Sequence, residues 1–152
     1  MSLKNLNGII KNNKNKFLLE TKADILLSYG YTEEAIKFYE LVLKKYPNNK
    51  YVQLKILNNI DQIKFRKEKI NLLFYSNLNL LLEFPNYRLL YLKYRNLSEL
   101  LEKNQWISFF NLYELKKNYE INEFNNQIKR IINTTDDKDL MKFLKAYMEI
   151  NK

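Results

Sequence analysis

Cysteine and histidine are both absent from this chain of 152 residues, and glycine and proline occur only twice each. Without thiols there is no disulfide framework. Without thiolate or imidazole the usual zinc sites are excluded, as is any serine or cysteine nucleophile that relies on a histidine base. Carboxylate, lysine or tyrosine chemistry remains, or none. So little glycine and proline removes the usual chemistry of tight hairpins, and strand patterns are scarce. Long apolar runs are missing too. The most apolar stretch, NLLFYSNLNLLLEF at 71–84, is too short and too polar to span a bilayer. At the start of the chain Gly8-Ile9-Ile10 is followed at once by KNNKNK, which does not read as a secretory leader. The expectation is an intracellular protein of a bacterial cytoplasm or an organelle (mitochondrial) matrix, with no membrane span.

What is present in quantity is lysine, asparagine, isoleucine and aromatic side chains, a usage typical of very AT-rich genomes; there are 12 Tyr and 9 Phe. The hydrophobic fraction of 46% is enough for a buried core. The formal net charge is +9, which suits an acidic partner such as RNA as well as it suits compositional drift. Only Arg66, Arg88, Arg95 and Arg130 among the 26 basic residues are arginines. Arginine supplies planar, bidentate recognition of phosphates and bases, so its scarcity argues against specific nucleic-acid readout and leaves loose backbone binding open.

Helical periodicity runs through nearly the whole sequence. It predicts an all-α chain of about nine helices, at 3–11, 17–29, 33–45, 51–62, 67–84, 87–103, 105–117, 120–132 and 136–150. Thr32 ahead of Glu33 and Glu34 reads as an N-cap with acidic residues in the first turn. Pro47 and Pro85 follow helix ends. Thr134, Thr135, Asp136 and Asp137 form a strong start for the last helix, in which Leu140, Phe143, Leu144 and Tyr147 make one apolar stripe. The pairs Lys44-Lys45, Lys116-Lys117 and Lys129-Arg130 read as helix-closing charges.

One stretch is punctuated more sharply than the rest. In 16–49, a span of 34 residues, Ala23 is followed by Gly30, Ala35, Tyr39 and Pro47, with Leu19 and Leu26 at large apolar positions. This spacing resembles a tetratricopeptide repeat, in which small residues mark the helix crossing, glycine the turn and proline the end. Lys22 and Val42 depart from that pattern, where an apolar residue and Ala are usual. Pro85 follows Pro47 by 38 residues, and EFPNY echoes KYPNN. The resemblance implies stacked antiparallel helix hairpins in a right-handed solenoid. It would form one domain over 1–152, with degenerate repeats at 50–86 and 87–118 and capping helices at 119–152. In the repeat at 87–118, Asn104 stands where the turn glycine would be. More loosely, the order of these segments up to the terminal AYMEI is similar to the helical tail of some bacterial HExxH zinc metalloproteases, here without that motif.

The resemblance also implies a concave binding face lined by the first helix of each pair. Position by position this gives Glu20, Asp24 and Leu27, then Tyr51, Asn58 and Asp61, then Asn96 and Glu99. Tetratricopeptide clamps for acidic chaperone termini carry Lys and Asn at the first of these positions. Glu20 and Asp24 point instead to a basic or apolar segment of a protein partner, within a multi-subunit complex. The acidic groups Asp136, Asp137 and Asp139, like Glu33 and Glu34, sit in first helical turns, where capping accounts for them. Tyr39, Phe109, Phe110 and Phe143 read as core, whereas Trp106, Tyr91 and Tyr94 are candidates for an exposed stacking surface. The run KFRKEK offers Lys64, Arg66, Lys67 and Lys69 as candidate phosphate contacts. The expected function is a non-catalytic interaction module, an adaptor or subunit needing no cofactor, with an RNA- or ribosome-associated protein as the alternative.

Overall fold

A computed structural model describes residues 16–60 and 67–150. Every regular element among the described residues is helical: α1 (Lys16–Ser28), α2 (Thr32–Lys45), α3 (Lys50–Asn59), α4 (Lys67–Ser76), the short α5 (Asn79–Glu83), α6 (Arg88–Leu100), α7 (Asn104–Glu114), a 3-10 turn at Lys116–Asn118, α8 (Ile121–Thr134) and α9 (Lys138–Ile150). The all-α expectation holds, with eight of these helices ten residues or longer. The helix expected at 3–11 lies outside the described residues. None of the described helices is long and apolar enough to cross a membrane. The chain divides into two compact units, with the boundary between Lys69 and Ile70.

In the first unit, α1 and α2 form a closely packed hairpin and α3 packs on α2. Ala23 and Ala35 are fully buried, and so are Ile36, Tyr39, Val42, Val52, Ile56 and Leu57. Gly30 ends α1 with φ +85°. Its N–H donates to the Leu27 carbonyl at 3.0 Å and the Tyr31 N–H to the Leu26 carbonyl at 2.9 Å. These two bonds are a Schellman closure, which needs a left-handed residue at the position of Gly30. The chain passes from this turn straight into α2. Thr32 is therefore already helical and does not cap; the cap position falls on Tyr31, whose side chain makes no capping bond. Glu33 and Glu34 do occupy the first turn and Lys44 and Lys45 the last. Lys22 is buried, and its Nζ lies 3.8 Å from the centre of the Phe38 ring.

The second unit carries the aromatic core. The hairpins α6–α7 and α8–α9 pack within themselves, α7 packs on α8, and α5 packs on α9. Trp106 meets Phe74, Phe110 and Phe143 at centroid distances of 5.2, 6.2 and 5.5 Å. Tyr91 stacks on Tyr113 at 3.8 Å. Such a network adds ring-to-ring attraction to the burial of large apolar area.

Three further expectations need correction. The helix expected at 67–84 is broken after Ser76. Ser76 Oγ and Asn77 Nδ2 both donate to the Leu73 carbonyl, at 3.3 and 2.8 Å. Side-chain donors that compete for helix carbonyls loosen the ladder, and the next backbone bonds, Leu80 to Asn77 and Leu81 to Leu78, span three residues rather than four. The left-handed turn residue of the α6–α7 hairpin is Glu102 (φ 57°), whereas Asn104 is the first residue of α7. The α8 helix runs on to Thr134, so Lys129 and Arg130 lie before its last turn.

The two proline turns match in detail. Tyr46 (φ −129°, ψ 76°) and Phe84 (φ −124°, ψ 63°) close α2 and α5. Asn49 N–H donates to the Tyr46 carbonyl at 3.2 Å, and Tyr87 N–H to the Phe84 carbonyl at 3.1 Å. Each proline thus takes the second position of a four-residue turn, where its fixed φ is favourable.

Candidate functional site

The face shared by α1 and α3 in the first unit brings together several of the expected partner-binding residues. Glu20, Asp24 and Leu27 are spaced four and three residues apart, on one side of α1. Tyr51 and Asn58 stand one and eight residues beyond the start of the expected second unit, on α3. Tyr51 Oη donates to Asp24 Oδ2 at 3.0 Å, and Tyr39 Oη, reaching out from α2, donates to Asp24 Oδ1. Asn49 makes two connections. Its Oδ1 accepts from the Val52 N–H at 3.3 Å and caps α3, while its Nδ2 donates to Glu20 Oε1. The proline turn that ends α2 thereby fixes the carboxylate of α1.

Burial raises the Tyr39 phenol pKa well above its ordinary value of 10, with the bond to Asp24 and that carboxylate's charge adding to it. Tyr51 is raised for the same reasons in the same order. Both hydroxyls are therefore fixed donors, and Asp24 has two of them aimed at one carboxylate. Leu27 is half-buried and Asn58, seven residues beyond Tyr51, is exposed. Lys55 Nζ stands 5.3 Å from the Tyr51 ring centre, a cation at the edge of the acidic face.

Other expected site residues lie elsewhere. Asp61, Lys64 and Arg66 fall outside the described residues. Lys67 is exposed, and Lys69 pairs with Glu40 at 2.6 Å. Asn96 and Glu99 are exposed on α6 of the second unit, with Arg95 Nε 3.7 Å from Glu99 Oε1. The stacking surface expected of Tyr91, Tyr94 and Trp106 does not exist. Tyr91 is 1% exposed, and Tyr94 and Trp106 are fully buried. Tyr91 and Tyr94 donate to the carbonyls of Leu81 and Phe74 at 2.7 and 2.9 Å. Trp106 Nε1 donates to Asp137 Oδ2 at 2.9 Å. Each aromatic has its polar tip matched inside the core, which is what lets it be buried.

Sequence reasoning missed two features. Asn49 was legible only as a turn residue, because its second role needs α1 beside it. A groove of about 530 Å³ in the second unit, where Arg88, Glu114, Lys116 and Lys117 meet, joins residues nearly 30 positions apart. The lysines were expected to close the helix at 105–117, but α7 ends at Glu114 and they lie beyond it in the 3-10 turn. Among the described residues no three acidic side chains gather closely enough to hold a metal ion. Comparison with protein-family models, curated proteins and solved structures gives no match.

Proposed function

We propose that this chain is a tetratricopeptide-like interaction module without catalytic activity, an adaptor or structural subunit of a larger assembly. Its partner offers a segment carrying lysine or arginine, which lies on the face of α1 and α3. The observation that carries this reading is the fixed carboxylate pair. Asp24 is held between two tyrosine hydroxyls and Glu20 against Asn49, in a chain whose net charge is +9. Groups already fixed in place lose little freedom on binding, so more of the contact energy appears as affinity. Charge complementarity at such a face favours a cationic segment and disfavours an acidic one.

The test is capture of partners by the tagged full chain from its own cells, in low and in moderate salt, beside the variant Glu20→Lys with Asp24→Asn. Protein partners that persist in moderate salt and are lost with the variant support the reading, provided the variant melts cooperatively. Partners indifferent to the variant overturn it.

A second reading is an RNA- or ribosome-associated protein. It draws support from Lys37 and Lys44 beside the exposed Leu41 on α2, with Lys69 at the start of α4 paired to Glu40. Counterion release makes such binding fall steeply with salt. RNA that co-purifies only at low salt, unaffected by the Glu20 and Asp24 changes, would favour it.

A further inference from the structure

The second unit carries a groove whose chemistry differs from that of the α1–α3 face. Its walls come from the start of α6, the end of α7 with the 3-10 turn, and the first turn of α8. Arg88 Nε and Nη2 both reach Glu114 Oε2, at 3.1 and 2.9 Å. That pairing commits the guanidinium to the protein's own carboxylate, and the Arg88 pKa is raised by the bond to Glu114 and by its charge. Lys116 and Lys117 are then the surplus charge of the lining. Lys116 Nζ lies 5.4 Å from the centre of the Phe124 ring, an ammonium held over an aromatic face.

Apart from Asn86 and Asn125, the rest of the lining is rings and aliphatic surface. Tyr113 is fixed by stacking on Tyr91 and by donating to the Pro85 carbonyl at 2.8 Å. Phe124 is buried, Tyr119 is half-buried, and Ile121 is 77% exposed. The amino end of α8 opens at the same place, its dipole offset by Glu120 at the cap position and Glu123 in the first turn. A purely apolar ligand would sit under two unmatched ammonium groups. A bare inorganic anion would leave the ring and aliphatic surface uncovered. A volume of about 530 Å³ falls in the range of small-ligand pockets.

We propose that this groove binds a mononucleotide, with its base against Tyr119 and Ile121 and its phosphate on Lys116 and Lys117. The proposal is independent of the α1–α3 face.

The experiment is calorimetric titration of the full chain with adenosine monophosphate, adenosine, inorganic phosphate and a short adenylate oligonucleotide. The expected result is monophosphate binding at least about tenfold tighter than adenosine or phosphate alone. It should fall to the adenosine level in Lys116→Gln/Lys117→Gln. Ile121→Glu places a negative charge at an exposed position and should have the same effect without disturbing the core, as circular dichroism would verify. No binding at millimolar monophosphate, equal affinity for phosphate and monophosphate, or binding unchanged by Ile121→Glu would each overturn the proposal. An oligonucleotide that binds more tightly than the monophosphate and is lost with the same variants would assign the groove to an RNA strand instead, which also overturns it.

Discussion

Gly30 and Glu102 hold the same backbone conformation at the ends of α1 and α6, and only one of them is suited to it. At Glu102 the closure repeats, with Lys103 N–H on the Ser98 carbonyl at 2.8 Å and Glu102 N–H on the Glu99 carbonyl at 3.1 Å. A side chain with positive φ carries a steric cost of roughly 1 kcal/mol that glycine avoids. The two turns therefore predict opposite results. Gly30→Ala should destabilise by about 1 kcal/mol even though no atom beyond its chain neighbours lies within 4 Å of the added Cβ, because the strain is in the backbone itself. Glu102→Gly should stabilise by up to about 1 kcal/mol, reduced by the extra freedom glycine gives the unfolded chain. Denaturant midpoints of the two variants measure both effects. Glycine scarcity made Gly30 easy to read in the sequence. Glu102 was unreadable for the same reason, since nothing about a glutamate marks a left-handed turn, and Asn104 was the more natural choice by residue type.

At the scale of an element, the junction between α8 and α9 shows how a cap becomes a tertiary tie. Asp137 Oδ1 accepts from the N–H groups of Asp139 and Leu140, both at 3.0 Å, and Oδ2 accepts from Trp106 Nε1 at 2.9 Å. Asp136 accepts from Gln105 Nε2 at 3.0 Å, and Thr135 Oγ1 bonds Gln105 Oε1. The start of α9 is thus stitched to the start of α7. A lost N-cap costs about 1 kcal/mol, and an indole N–H left buried without an acceptor costs about 1–3 kcal/mol more. Asp137→Ala should therefore lose about 2–4 kcal/mol, and Trp106→Phe, which removes the donor along with the bond but leaves a cavity among Phe74, Phe110 and Phe143, a comparable amount. A double-mutant cycle on the two changes should show strong coupling; additive losses would mean that the cap and the indole bond act separately. The capping half of this junction was legible in TTDD, because capping is local. The Trp106 half was not, because it depends on an α7 that is 31 residues away in sequence. Locality also explains the broken helix at 67–84. Its apolar spacing is helical throughout, and the break comes from two side-chain donors, Ser76 and Asn77, that period-counting does not weigh.

Taken as a whole, the molecule titrates in an unusual way, because the composition that excludes histidine chemistry also removes the only side chain with an ordinary pKa near neutrality. Between the carboxylates and the lysines and tyrosines, little changes charge. Burial raises Tyr39, Tyr91 and Tyr94 above the ordinary tyrosine value of 10, and Tyr51 and Tyr113 shift the same way. In the unfolded chain these phenols ionise near that value, while in the folded chain they keep their protons. Their contribution to stability is complete below pH 10 and is lost as pH rises above it. Each phenol held protonated beyond that point costs about 1.4 kcal/mol per pH unit. Lys22 acts in the opposite direction. Burial lowers its pKa, so the penalty on its charge is relieved as pH rises toward and past 10.5. One lysine does not offset several buried phenols. The expected outcome is a denaturant midpoint that is nearly flat from about pH 6 to 9 and drops sharply above about pH 10. The tyrosinate absorbance should rise in two waves, first from the exposed rings and then, cooperatively with loss of helical signal, from the buried ones. A single tyrosinate wave that precedes unfolding would show the interior phenols to be open to solvent, and would take away the rigidity on which the fixed Asp24 donors and the groove floor at Tyr113 both depend.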